Sequence, residues 1–234
     1  MQERNRKVIV ALDFPGKEKG NHIIQALAGS GCWTKVGLEL YAHEGPNIVR
    51  ELKNQGFSVF LDLKLHDIPN TVVGAVRTLA KLEPDMLDVH CSGGYDMMAR
   101  AVETAREAER STGKRPLMIG VTVLTSMSGE TLHTELGVAK ELNEQVLFLA
   151  RLAQRAGMDG VVASAQEAAF LRKALGPEFI IVTPGIRPAW SQHYDQVRVV
   201  TPKDALAAGS SYLVVGRPIT GAEDPRQALE KLWD

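Results

Sequence analysis

The chain has 234 residues, 44% of them hydrophobic and 24% charged, which is enough apolar material for one sizeable core. Its 27 Lys and Arg balance 28 Asp and Glu to a net charge of −1, and no long single-sign run appears, so neither a nucleic-acid footprint nor a membrane-surface patch is indicated. The two cysteines, Cys32 and Cys91, lie far apart outside any CxxC pair; buried apolar roles suit them better than a disulfide framework or a thiolate metal site.

The N-terminal MQERNRKVIVALDF carries charge and a short apolar run that ends at Asp13, with no signal-peptide pattern, and no stretch approaches the length of a membrane span. A soluble cytoplasmic protein is expected, with small molecules and other protein chains as its partners rather than nucleic acid or membrane.

In chain order, β-rich runs alternate with helical patterns. KVIVALDF precedes a helix over 18–29, TKVGLEL one over 43–55, SVFLDLKL one over 71–82 and MLDVHC one over 95–112. LMIGVTVL then precedes 143–156, GVVAS precedes 165–175, FIIVTPGI precedes 202–208 and YLVVGRPIT precedes 225–233. Several helices end at glycine, as in NQGF and RAGMDG, suiting the left-handed position that closes a helix. Eight βα repeats predict an α/β protein, a closed (β/α)8 TIM barrel, although so coarse a pattern also admits an open doubly wound sheet. No linker or low-complexity segment interrupts residues 1–234, which are read as a single domain.

Barrel enzymes place their chemistry at the C-terminal ends of the strands. The reactive side chains fall there: Asp13 on the first strand, Lys35 in the second, Asp62 and Lys64 on the third, Asp88 and His90 on the fourth. Thr125 and Ser126 follow the fifth, Arg187 the seventh and Arg217 the eighth.

The stretch FLDLKLHDIPNTV at 60–72 is the most heavily charged of these. Strand residues two apart share a face, so Phe60, Asp62, Lys64 and His66 point one way while Leu61, Leu63 and Leu65 pack under the helices. The same alternation in TKVGLEL sets Lys35, Gly37 and Glu39 together, which brings Lys35 beside Asp62 and Lys64, with Asp67 continuing the array past the strand end. A solvated edge strand carrying surface ion pairs, each worth about 0–1 kcal/mol, is the bland alternative. It weakens because Lys35 on the neighbouring strand also faces inward, where charges are costly unless paired, and such costly pairs often mark function. A lone strand histidine is more often structural than catalytic, and His66 and His90 are read that way. The glycine turns GSGC at 29–32 and CSGGYD at 91–96 lack dinucleotide or P-loop spacing.

The string DLKLHDIPNT fits the DxKxxDIPxT signature of the orotidine 5′-phosphate decarboxylase family. ALDF at 11–14, KVGLEL at 35–40, VHCSGG at 89–94, VTVLTSM at 121–127, VTPGIRP at 182–188, DQVRVVTP at 195–202 and YLVVGRPIT at 212–220 resemble family segments in the same order. The resemblance implies a homodimeric (β/α)8 barrel that converts orotidine 5′-monophosphate (OMP) to UMP and carbon dioxide, the last step of de novo UMP synthesis, with no metal and no cofactor. It implies that Lys64 protonates C6, that Asp62 sits beside the departing carboxylate, and that Lys35 orders the network and contacts the ribose, which Asp13 also binds. Asp67 and Thr71 match residues that reach into the partner subunit's site. Ser126 is implied at the pyrimidine edge and Thr125 at another substrate position. Arg187, Gln196, Gly216 and Arg217 match substrate contacts, the last three on phosphate, and the polar segment 187–198 reads as a lid. Magnesium-dependent hexulose-phosphate synthases and ketogulonate-phosphate decarboxylases are similar, but place an acidic metal ligand where this chain has Lys35. A barrel that binds nucleotide without catalysis is the rival of another class; loss of Lys64 or Asp62 would mark it, and both are present.

Overall fold

The computed structural model describes residues 2–188, 190 and 200–234. Eight parallel strands close into a barrel in sequence order: β1 (Val8–Ala11), β2 (Trp33–Val36), β3 (Ser58–Leu65), β4 (Met86–His90), β5 (Leu117–Val121), β6 (Gly160–Val162), β7 (Ile180–Thr183) and β8 (Tyr212–Val215). The β1–β8 pairing, Ile9 to Val214, completes the ring and excludes the open sheet. Among the described residues, no helix is long and apolar enough to cross a membrane.

Alternation along the strands builds two cores. Ile9, Ala11, Phe60, Met86, Ile119, Val182 and Val214 fill the barrel interior, whereas Val8, Val10, Leu61, Leu87, Val161, Ile181 and Leu213 face the surrounding helices. The inward apolar layer plugs the barrel and forms the floor on which any polar group nearer the C-terminal face must rest.

The opposite rim is tied by a repeated device. Asp85, just before β4, accepts the Val59 N–H at 2.8 Å and pairs with Lys53. Asp159, before β6, accepts from Met118 N–H at 2.8 Å and takes a two-pronged contact from Arg115. Ser211, before β8, accepts the Ile181 N–H at 3.1 Å and a bond from Arg172. In each case the residue entering one strand caps a backbone donor of the strand before it.

The strand over TKVGLEL is shorter than its period-two pattern suggests. β2 stops at Val36, Gly37 turns the chain, and Leu38–Glu44 is helix, so Glu39 does not share a strand face with Lys35. A Cβ at Gly37 would lie 2.9 Å from Lys35 Nζ and 3.1 Å from Asp13 Oδ1; the bare backbone is what lets the turn close over that ion pair. The helix expected over 43–55 is two, Leu38–Glu44 and Asn47–Asn54, divided where Gly45 takes φ 63° and Pro46 follows. The last strand also ends early: GRPIT forms the turn at Gly216 and the short helix Arg217–Thr220. A helix over Gly129–Thr134, capped by the Ser128 hydroxyl, lies in a stretch where no helix is expected from the sequence pattern.

Candidate active site

A cavity of about 410 Å³ opens at the C-terminal mouth of the barrel. Asp13, Lys35, Asp62, Lys64, Thr125, Arg187, Gly216 and Arg217 all line it. β1 delivers Asp13 just beyond its end, β2 carries Lys35, β3 carries Asp62 and Lys64, and the turns after β5, β7 and β8 carry the rest.

The charges form one connected array. Lys35 Nζ lies 2.9 Å from Asp13 Oδ1 and 3.1 Å from Asp62 Oδ2, while the Lys64 ammonium contacts the other Asp62 oxygen. Lys35 and Asp62 are buried and Asp13 is exposed. Burial works against charge on Lys35, but the Asp62 and Asp13 carboxylates outweigh it and hold the ammonium above its ordinary range. Burial opposes charge on Asp62 too, yet Lys35, a hydrogen bond from Asp88 and Lys64 bring its carboxyl down to about 2. Lys35 and Asp62 thus hold full, opposite charges at neutral pH in the middle of the array.

The backbone beneath it is irregular. Leu61 pairs with Leu87 and Leu65 with Val89, so Asp62, Leu63 and Lys64 on β3 stand opposite the single residue Asp88 on β4. Lys64 takes φ 51°, a left-handed conformation unusual for a side chain of its size, and its N–H donates to Asp88 Oδ1 at 2.8 Å. Asp88 is wholly buried. Strand alternation places Asp62 and Lys64 in the mouth, as expected from their spacing, but it gives no sign of this bulge or of the carboxyl that meets it.

Other expected residues are distributed unevenly. Ser126 is exposed and lines an adjoining depression shared with Gln166 and Gly185 rather than the cavity itself. Asp67 and Thr71 are exposed and do not line the cavity; the Asp67 carboxylate accepts the next residue's N–H, that of Ile68, at 2.6 Å. Within one chain, Asp67 therefore does not extend the array. Gln196, Tyr194 and most of the segment 187–198 lie outside the described residues. Trp190 is exposed, its indole N–H donating to the Lys231 carbonyl at 3.3 Å. The rings of His66 and His90 sit 5.4 Å apart; burial, then His66 and Lys64, pushes His90 below its ordinary range. Cys32 and Cys91 are buried, and burial pushes their thiols up to about 11 and about 12. Among the described residues, no group of three or more His, Cys, Asp or Glu is placed to hold a metal ion.

A closed (β/α)8 barrel with an Asp–Lys–Asp–Lys array lining the cavity at its mouth places the chain among the barrel enzymes. The family described as "Orotidine 5'-phosphate decarboxylase / HUMPS family" matches residues 6–232, and the chain belongs to it. It is 53% identical over 226 residues to the orotidine 5′-phosphate decarboxylase of Hydrogenovibrio crunogenus, covering 97% of this chain and 94% of that protein. It is 51% identical over 227 residues to the protein of the same name from Moorella thermoacetica, covering 97% and 90%. The crystal structure of orotidine 5′-phosphate decarboxylase from Lactobacillus acidophilus is similar with a TM-score of 0.88, at 41% identity and 97% coverage of both chains.

Proposed function

We propose that this enzyme decarboxylates OMP to UMP and carbon dioxide without a metal or organic cofactor, as the closing step of UMP synthesis in the cytoplasm. The observation that carries the reading is the position of Lys64: a lysine ion-paired to a buried aspartate, inside a cavity of nucleotide size, with its backbone fixed by a second carboxyl.

The chemistry asks for such a group. Breaking the bond between C6 and the carboxylate releases carbon dioxide and leaves the electron pair on C6, in an orbital the pyrimidine ring does not delocalise. Enzymes lower barriers by roughly 8–23 kcal/mol, and this reaction lies toward the upper end of that range. A Lys64 ammonium already aimed at C6 stabilises charge that exists only as the bond breaks, and then passes its proton to the carbon. Asp62, kept ionised by Lys35 and Lys64, stands where the substrate carboxylate departs, holding Lys64 in aim and opposing the ground-state charge. Lys35 and Asp13 suit the ribose hydroxyls. Ser126 suits the pyrimidine edge, Thr125 another substrate position, and Arg187 a further substrate contact.

The turn after β8 suits the phosphate, through Arg217 and the Gly216 backbone, with Gln196, which follows β7 in the sequence, as the third proposed contact. Phosphate binding there is remote from C6 and supplies energy for ordering the site and closing the 187–198 segment as a lid.

The active unit in this reading is a homodimer, with Asp67 and Thr71 completing the partner's site. Their exposure, beside Ile68 at 67% exposure, supports a covered face in the assembly.

The magnesium-dependent relatives are disfavoured by Lys35. Its ammonium bridges Asp13 and Asp62, satisfying both carboxylates with a resident cation. Incubating the protein with OMP in EDTA and separating the nucleotides by chromatography tests the proposal: UMP forms at an undiminished rate. Turnover that requires added magnesium, or acts on a hexulose or ketogulonate phosphate instead, overturns it.

A further inference from the structure

We infer that Asp88 is a positioning residue for this decarboxylation, a buried carboxylic acid that pins the β3 bulge through the Lys64 backbone and donates its proton to Asp62; the inference rests on the function proposed above. The first half stands on register. Three residues of β3 share the space opposite Asp88, and the third, Lys64, is left-handed with its N–H on Asp88 Oδ1 at 2.8 Å. Without an acceptor there, the Lys64 N–H loses its partner and the reason for the bulge goes with it.

The second half stands on hydrogen-bond accounting. Asp88 Oδ2 is buried and receives no N–H or O–H from a conventional donor among the described residues. Asp62 is one of the three β3 residues opposite Asp88, and its carboxyl is the acidic group that acts on Asp88, by charge and through a hydrogen bond shared between the two carboxyl groups. Two carboxyl groups share a hydrogen bond only when one of them carries a proton. Asp62 touches two ammonium groups, Lys35 and Lys64, that keep it ionised. Asp88 rests beside the apolar Ile119 of β5, is wholly buried, and among the described residues faces Asp62 and Lys64 of β3 as charged neighbours, with His90 two residues on along its own strand. The proton therefore resides on Asp88. Burial first, and the Asp62 charge second, hold its carboxyl well above the usual carboxylate range.

The consequence is a charge balance. With Asp88 neutral, the ammonium groups of Lys35 and Lys64 face the carboxylates of Asp13 and Asp62, two against two. An ionised Asp88 would add a third negative charge behind Lys64 and oppose negative charge developing at C6. The neutral acid instead takes one Asp62 lone pair and leaves the others aimed at the lysines.

Asparagine keeps both contacts: its carbonyl accepts from Lys64 N–H and its amide donates to Asp62. Leucine fills the space and makes neither. Asp88→Asn is expected to stay within about threefold of wild-type kcat, and Asp88→Leu to lose about 10- to 100-fold in kcat with KM little changed. A folded Asp88→Asn that loses as much as Asp88→Leu, or a folded Asp88→Leu with wild-type kcat, overturns the inference. Infrared difference spectra between wild type and Asp88→Asn supply a readout independent of turnover and of whether Asp88→Leu folds. The carbonyl stretch of a protonated carboxylic acid is expected in the wild type and lost in Asp88→Asn; its absence from the wild type overturns the inference. Wild-type protein that leaves OMP unchanged refutes the function itself, separately from the spectrum.

Discussion

Lys35 Nζ stands 3.1 Å from Asp62 Oδ2 with both side chains only 10% exposed, so each charge depends on the other for solvation. Breaking a buried pair by removing one partner costs more than replacing both with apolar groups. Lys35→Met is expected to lower unfolding free energy by about 1–3 kcal/mol, moderated because Lys64 still pairs with Asp62. The Lys35→Met, Asp62→Leu double variant recovers part of that loss while remaining inactive. Urea denaturation of the singles and the double gives the coupling; strictly additive losses would contradict an energetic link.

Asp88 makes stability depend on pH in the direction opposite to Asp62. The unfolded Asp88 carboxyl titrates near 3.8 and the native one well above it, so at intermediate pH folding takes up a proton. Its contribution is complete below 3.8 and falls as pH rises toward the native value. Asp62, with a native value of about 2, contributes above 3.8 and loses that contribution as pH falls from 3.8 toward 2. The Asp88→Asn variant therefore gains on the wild type as pH rises, by up to about 1.4 kcal/mol per pH unit inside the window. Urea midpoints at a series of pH values rising from 3.8 check this, and curves that stay parallel for the two proteins throughout the series would contradict it.

Arg217 lines the cavity from the turn after β8 and is proposed to bind the phosphate. Arg217→Ala is expected to raise KM for OMP by about 10- to 100-fold, equivalent to about 1.4–2.8 kcal/mol, with a smaller fall in kcat. The affinity for uridine, which has no phosphate, stays unchanged. A comparable loss for uridine would move Arg217 to another role.

Shared sites predict complementation. If the proposed homodimer shares its sites, Asp67→Ala and Lys64→Ala proteins are each expected to be inactive, and mixing the chains is expected to form some sites with both side chains intact. Activity returning in proportion to verified heterodimer is the expected result. Heterodimers as inactive as the parents would place Asp67 in its own subunit's chemistry.

Much of the barrel and of the charged mouth is legible in the residues, because period-two alternation in SVFLDLKL and the recurrence of βα units are local signals. The details that fail are those set by a neighbour. Leu38 and Leu40 extend the alternation of β2 in sequence, but the turn at Gly37 makes them helical, with Leu38 exposed and Leu40 buried. Counting by twos along β3 assumes an even ladder, so it passes over the bulge, which exists only in the pairing with β4. Asp88 is visible as a charge at a strand end, but its partner Lys64 is 24 residues away and the contact is to backbone. Asp67 is legible as part of a motif while a single chain gives it no place in the cavity.

The most direct test is the ultraviolet absorbance of OMP followed over time with wild-type protein in EDTA, beside Lys64→Ala at the same concentration. The account predicts rapid loss of absorbance with wild type, unaffected by the chelator, and none with a Lys64→Ala protein that is folded and still binds UMP. Substantial turnover by Lys64→Ala, or none by the wild type, would contradict it.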